Sequence, residues 1–143
     1  VRKYNPIFSF SGWYLKEGQE IHFRSLKELS FMLEMDKTGR IWRSAESMSV
    51  TYTLNGVTHK YHPDFILDER IVIEIKPKKL TKLKINKLKA DAMTKWCDTH
   101  NMEYQIISPK KIAKIKLKEL VDVGKVRIES HLQLKFKRYL ASR

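Results

Sequence analysis

Apolar residues in this chain recur at two periods, helical and alternating, and the changes between them divide it into three stretches. From Arg24 to Asp36 the spacing predicts a helix, with Ser25 as N-cap and Glu28 three residues on in a capping-box relation. Leu26, Leu29, Phe31, Met32, Leu33 and Met35 spread over a broad apolar arc, and Lys37-Thr38-Gly39 closes it. Glu28 falls inside that arc, so its carboxylate must be capped, paired or bound to a metal. Glu34 falls on the polar side and reads as solvated.

A β-meander follows. Val50, Tyr52 and Leu54 alternate with Thr51 and Thr53, and Asn55-Gly56 is a strong hairpin signal. A second strand is expected from Val57 through Tyr61 and on to Leu67, with a polar turn at Asp68-Glu69-Arg70. Ile71 to Lys76 reads as a third strand, β-branched and nearly all apolar, suited to the middle of a sheet covered on both faces and ended by Pro77.

Helical spacing returns at Ile85, Leu88, Ala92 and Trp96, with Asn101 as C-cap. Glu103–Ile107 reads as a strand. Ser108-Pro109 has the form of an N-cap with proline at the first helical position, opening a helix that Gly124 ends. Beyond Lys125, strand alternation and helical spacing fit equally. Residues 1–22 carry Phe8, Phe10, Trp13 and Tyr14 between Pro6, Gly12 and Gly18, and are expected to form an arm packing its rings on the core. Arg2, Lys3 and Lys16 among those rings also permit stacking or phosphate contact.

Composition narrows the function classes. At 143 residues the chain suits a single domain, with 42% hydrophobic residues to build a core. Lys and Arg number 29 against 16 Asp and Glu, a net charge of +13 that points to a polyanionic partner. One cysteine, Cys97, excludes an intramolecular disulfide and a cysteine-based zinc site, and suits a reducing compartment. No membrane span or secretory signal is evident, so a cytoplasmic location and no membrane partner are expected.

The chemistry concentrates in Tyr61-His62-Pro63-Asp64-Phe65 and Glu74-Ile75-Lys76. Glu74 and Lys76 share a strand face, and Asp64, across a short turn, can bring its carboxylate towards that of Glu74. Two neighbouring carboxylates repel unless a hard divalent cation such as Mg²⁺ lies between them. Such an ion serves phosphodiester hydrolysis, and an ammonium beside it orients water or stabilises the transition state. The bland alternative is a turn aspartate and an exposed ion pair, but Ile71–Ile75 is too apolar for a free strand. Seven lysines and no acid lie between Lys76 and Lys89. Of these, Lys78, Lys79, Lys82, Lys84, Lys87 and Lys89 are candidate DNA contacts of low sequence specificity. His62 shares a face with Asp64 and is a candidate supporting residue. His22, His100 and His131 show no metal spacing, Trp96 reads as core and Cys97 as a small buried residue.

Pro63-Asp64, nine intervening residues, then Glu74-Ile75-Lys76 resembles the PD-(D/E)xK nuclease superfamily. The Arg24-Ser25-Leu26-Lys27-Glu28 helix start, Tyr61-His62-Pro63-Asp64-Phe65, Glu74-Ile75-Lys76-Pro77, the helix around Lys89, Ala92, Trp96 and Cys97, and Tyr104 to Ser108 extend the resemblance to TnsA-type transposon end-cleaving endonucleases. The resemblance implies an α/β restriction-endonuclease-like fold, a mixed central β-sheet flanked by helices, over residues 24–112, with 113–143 as a basic extension. It implies metal ligation by Asp64, Glu74 and the Ile75 carbonyl, with Mg²⁺ as cofactor and Mn²⁺ as substitute. Lys76 would assist the water and Glu28 would complete the catalytic set. Upstream of Asp64 the family's Glu-Gln-Pro element is replaced by Ser44-Ala45-Glu46-Ser47, which makes Glu46 a weaker supporting candidate. Size, basicity and the Tyr4-Asn5-Pro6 segment are also similar to small head-completion nucleases of tailed phages. DNA is the expected partner, with transposase or phage head and portal proteins according to the setting, and a virion-associated location in the phage case. The other readings are a non-catalytic DNA-binding or assembly protein and a branched-DNA resolvase.

Overall fold

The computed structural model describes residues 9–142. The segment around Tyr4-Asn5-Pro6, with Arg2, Lys3 and Phe8, lies outside them. The chain forms two compact units, one comprising residues up to Phe31 and from Lys110 onward, the other Met32–Pro109. None of the described helices is long and apolar enough to cross a membrane.

In the first unit, β1 (Gly12–Lys16) and β2 (Gln19–Phe23) form an antiparallel hairpin, and β9 (Val126–Ile128) pairs antiparallel with the other edge of β1. This hairpin replaces part of the expected arm. Its turn places Glu17 and Gly18 at φ 51° and 80°, the left-handed pair that a two-residue hairpin requires. Asn-Gly announces such a turn far more clearly than Glu-Gly does. Gly12 lets the strands close: a Cβ there would stand 2.2 Å from the Arg127 carbonyl oxygen. Phe10 packs edge-on to Phe136 and against Tyr139, with Tyr14, Leu117, Val126 and Ile128 also buried.

The ambiguous chain end contains both expected forms, β9 and then helix α4 (Gln133–Ala141). Helix α3 (Lys114–Asp122) starts later than Ser108-Pro109 proposed. Residues 108–113 stay irregular while Ile112 is drawn into the core. Gly124, at φ 77°, does end α3.

Helix α1 (Leu26–Thr38) begins in the first unit with the expected cap: the Glu28 N–H donates to Ser25 Oγ at 3.1 Å, and the Ser25 hydroxyl donates to Glu28 Oε2 at 3.1 Å. It ends in the second unit on Gly39, φ 74°. There the Arg40 N–H reaches Met35 O and the Gly39 N–H reaches Asp36 O, a Schellman closure.

The second unit carries a four-stranded sheet in the order β3 (Trp42–Ser44), β6 (Phe65–Leu67), β7 (Ile71–Ile75), β8 (Glu103–Ile107). The first three strands are antiparallel neighbours, while β7 and β8 run parallel, joined through helix α2 (Lys84–Thr99). A separate ribbon, β4 (Val50–Leu54) with β5 (Val57–Tyr61), turns on Asn55-Gly56 as its sequence requires. β7 is interior to its sheet, as its apolar run predicts, with Val72, Ile73 and Glu74 buried. Val72 joins Val50, Tyr61, Met93 and Cys97 in one buried cluster.

The expected continuous strand from Val57 to Leu67 is instead broken at His62-Pro63-Asp64, so β5 and β6 belong to different sheets. Proline has no N–H for a ladder, and the buried Pro63 marks the point where the chain changes sheet. That break positions Asp64.

Candidate active site

Asp64 stands one residue before β6 and is held to β7 on both sides of Glu74. Its backbone N–H donates to Ile73 O at 3.0 Å, and its Oδ2 accepts the Ile75 N–H at 2.7 Å. The aspartate therefore straddles the position from which Glu74 projects. Pairing Ile73, Ile75 and Asp64 in this way needs a strand end with an unused amide, which the missing ladder partner beyond Phe65 provides.

Glu74 is only 7% exposed, unusual for a carboxylate. Its Oε2 lies 3.1 Å from Lys76 Nζ, and the Tyr61 hydroxyl interacts with the same carboxylate, while the buried Oε1 makes no close hydrogen bond among the described residues. Such an atom is costly unless something polar meets it. Lys76, just past the end of β7, also donates from Nζ to Asn86 Oδ1 at 3.0 Å. Asn86 Nδ2 in turn donates to Leu80 O at 2.7 Å.

Two tyrosines flank the acid. The Tyr61 and Tyr104 hydroxyls stand 3.0 Å apart. Burial first, and then the negative charge of Glu74, push the Tyr61 hydroxyl pKa far up; burial also raises that of Tyr104. Both phenols therefore stay protonated at neutral pH.

The donor set fits a hard divalent cation. Glu74 Oε1 is a buried carboxylate oxygen with no close hydrogen bond among the described residues, and Asp64 brings a second carboxylate to the same strand, beside the Ile75 backbone. Among the described residues, no group of three or more His, Cys, Asp or Glu side chains is placed to hold a metal. A bound ion would rest on the acidic pair together with backbone and water oxygens.

The other candidates fall as follows. Glu28, half-buried, belongs to the first unit and to the capping box of α1. The exposed His62 places Nδ1 3.0 Å from both Glu46 O and Met48 O, tying down the 46–48 loop. His62 and Glu46 thus meet through a backbone carbonyl, and the Glu46 residue itself is exposed. Lys78, Lys79, Lys82, Lys84 and Lys87 are exposed, whereas Lys89 is half-buried over the Tyr61 and Tyr52 rings, 5.6 and 5.9 Å from their centroids. Two features escaped the sequence reading. The Tyr61–Tyr104 pair joins strands from separate parts of the chain. Asn86 had one faint signal, an amide side chain in the first turn of a helix, where propensity alone does not favour it.

A mixed sheet that sets two acids and a lysine around the end of one interior strand, with helices beside it, has the restriction-endonuclease-like α/β arrangement. Residues 40–109, nearly the whole of the second unit, match the family model for the N-terminal region of TnsA-like endonucleases, which supports a TnsA-type, PD-(D/E)xK nuclease-like family for that stretch. No curated protein matches the chain. Glu28 precedes the matched residues.

Proposed function

We propose that the protein is a metal-dependent DNA endonuclease that hydrolyses phosphodiester bonds at the end of β7. The observation that carries this reading is Glu74, a buried carboxylate with one oxygen paired to Lys76 and the other without a close hydrogen bond among the described residues. Asp64, Glu74 and the Ile75 carbonyl would hold a divalent cation, Mg²⁺ with Mn²⁺ as substitute. When bound, that ion supplies charge neutralisation at the phosphate and a more acidic water.

The chain's own residues do the rest. The Ile75 N–H, 2.7 Å from Asp64 Oδ2, holds the Asp64 carboxylate against the end of β7. The Lys76 ammonium has three protons, of which two are directed at Glu74 Oε2 and Asn86 Oδ1. The third can orient a water or donate to a phosphoryl oxygen as negative charge develops. The exposed lysines from Lys78 to Lys87 supply phosphate contacts that set affinity and register without reading bases. The family match favours transposon-end cleavage beside a transposase over phage head completion.

The test is cleavage of duplex, branched and single-stranded DNA with Mg²⁺ or Mn²⁺. Wild type is expected to cut, while Asp64→Ala and Lys76→Ala, checked as folded by circular dichroism, bind DNA and leave it intact. Absence of cutting with every divalent metal would overturn the proposal and leave a DNA-binding protein.

A further inference from the structure

We infer that Asn86 is a positioning residue for Lys76, clamping its ammonium from the far side and tying it to the lysine-bearing 77–83 segment. The inference rests on the nuclease reading for its functional consequence, but its geometry stands alone. A lysine side chain has four rotatable carbons and ordinarily loses much rotamer freedom when fixed. Glu74 by itself would hold the ammonium at a single point. Asn86 adds a second acceptor at 3.0 Å, and the side chain of Lys76 is left only 14% exposed.

The carboxamide is itself oriented. Asn86 Nδ2 donates to Leu80 O at 2.7 Å, which fixes which end of the amide faces Lys76: a flipped amide would set its NH₂ against the ammonium. Leu80 belongs to the short 3-10 turn Lys78–Leu80, whose Leu80 N–H returns to Pro77 O, next to Lys76 in the chain. An ion pair and two hydrogen bonds thus lead from Glu74 through Lys76 and Asn86 to Leu80. They link the buried acid to a turn whose Lys78 and Lys79 are exposed for phosphate contact. Asn86 and Lys89, three apart on α2, share one helix face. On that face Lys89 lies over the Tyr61 ring.

The test compares Asn86→Leu, which removes the acceptor at similar volume, with Asn86→Asp, which keeps an oxygen towards Lys76. Metal-free full-length protein is treated with a trace of amine-reactive reagent, and labelling at each lysine is read by mass spectrometry. Lys76 in the wild type should label at least tenfold more slowly than the exposed Lys82. In Asn86→Leu the Lys76 rate should rise at least fivefold with the other lysines unchanged, and in Asn86→Asp it should stay slow. In metal-dependent cleavage, Asn86→Leu should lose at least tenfold in kcat with KM little changed, and Asn86→Asp should regain part of that loss. Unchanged labelling of Lys76 in a folded Asn86→Leu would overturn the clamp even if cleavage falls. A labelling response as expected, in a protein that cuts no DNA, would uphold the clamp and overturn the nuclease reading.

Discussion

Lys76 Nζ lies 3.1 Å from Glu74 Oε2, and the two side chains are 14% and 9% exposed. A pair enclosed to this extent contributes little net stability by itself, because desolvation offsets much of the attraction. Breaking it on one side leaves a charge buried and uncompensated. Lys76→Met is therefore expected to cost about 3 kcal/mol or more in urea unfolding, whereas Glu74→Gln with Lys76→Met should recover much of that loss. Equal stability of the single and double variants would show that the pair is not enclosed in solution.

Gly12 makes its own demand on the fold. With a Cβ 2.2 Å from the Arg127 carbonyl, Gly12→Ala must push β1 away from β9 or distort both. The expected loss is about 1–3 kcal/mol, the range for overpacking a tight contact. Chemical denaturation measures it directly, and an unchanged midpoint would refute the close approach.

The turn between β6 and β7 is clipped by two surface ion pairs with a defined pH signature. A hydrogen bond from Arg40 holds the Asp68 carboxyl below its usual 3.8, and one from Arg43 holds Glu69 below 4.5. A depressed folded pKa means that the contribution is complete above the unfolded value and is lost as pH falls through the folded one. Thermal melts of wild type and Asp68→Asn should therefore differ at pH 7, begin to converge as the pH falls past about 3.8, and coincide only below the depressed folded value. A difference that persists or grows in acid would contradict this assignment. The effect should be small, because both pairs are exposed.

Cys97 offers a probe of the second unit's core. Its side chain is buried with Met93 and Val72, and burial first, then the neighbouring Asp98 charge, push its thiol pKa up. A thiol reagent at pH 8 should react at least a hundredfold more slowly with native protein than with protein in urea. Comparable rates would mean that α2 does not stay packed on the sheet.

Where chemistry is local, the sequence is a good guide. The capping box at Ser25 and Glu28, the Asn55-Gly56 turn, the β-branched Ile71–Ile75 run and the glycine stops at Gly39 and Gly124 each depend on residues a few positions apart. Asp64, Glu74 and Lys76 stand out as candidates in the sequence because they flank one turn. The misreadings share a different cause. Glu17-Gly18 adopts left-handed backbone conformations without the usual asparagine or aspartate. Pro63 sits inside an otherwise strand-like run, and its consequence, a change of sheet, depends on strands β3 and β7 elsewhere in the chain. Ser108-Pro109 has a valid helix-start pattern, overridden by burial of Ile112. Asn86 and Tyr104 meet the site only through tertiary packing, which no spacing along the chain announces.

The proposed chemistry depends most on a cation at Glu74 Oε1. The direct measurement is anomalous diffraction from crystals soaked in Mn²⁺. A peak touching Glu74 Oε1 and Asp64 in wild type, lost in Glu74→Gln, is the predicted result. Well-ordered carboxylates with no manganese between them at saturating concentration would contradict it.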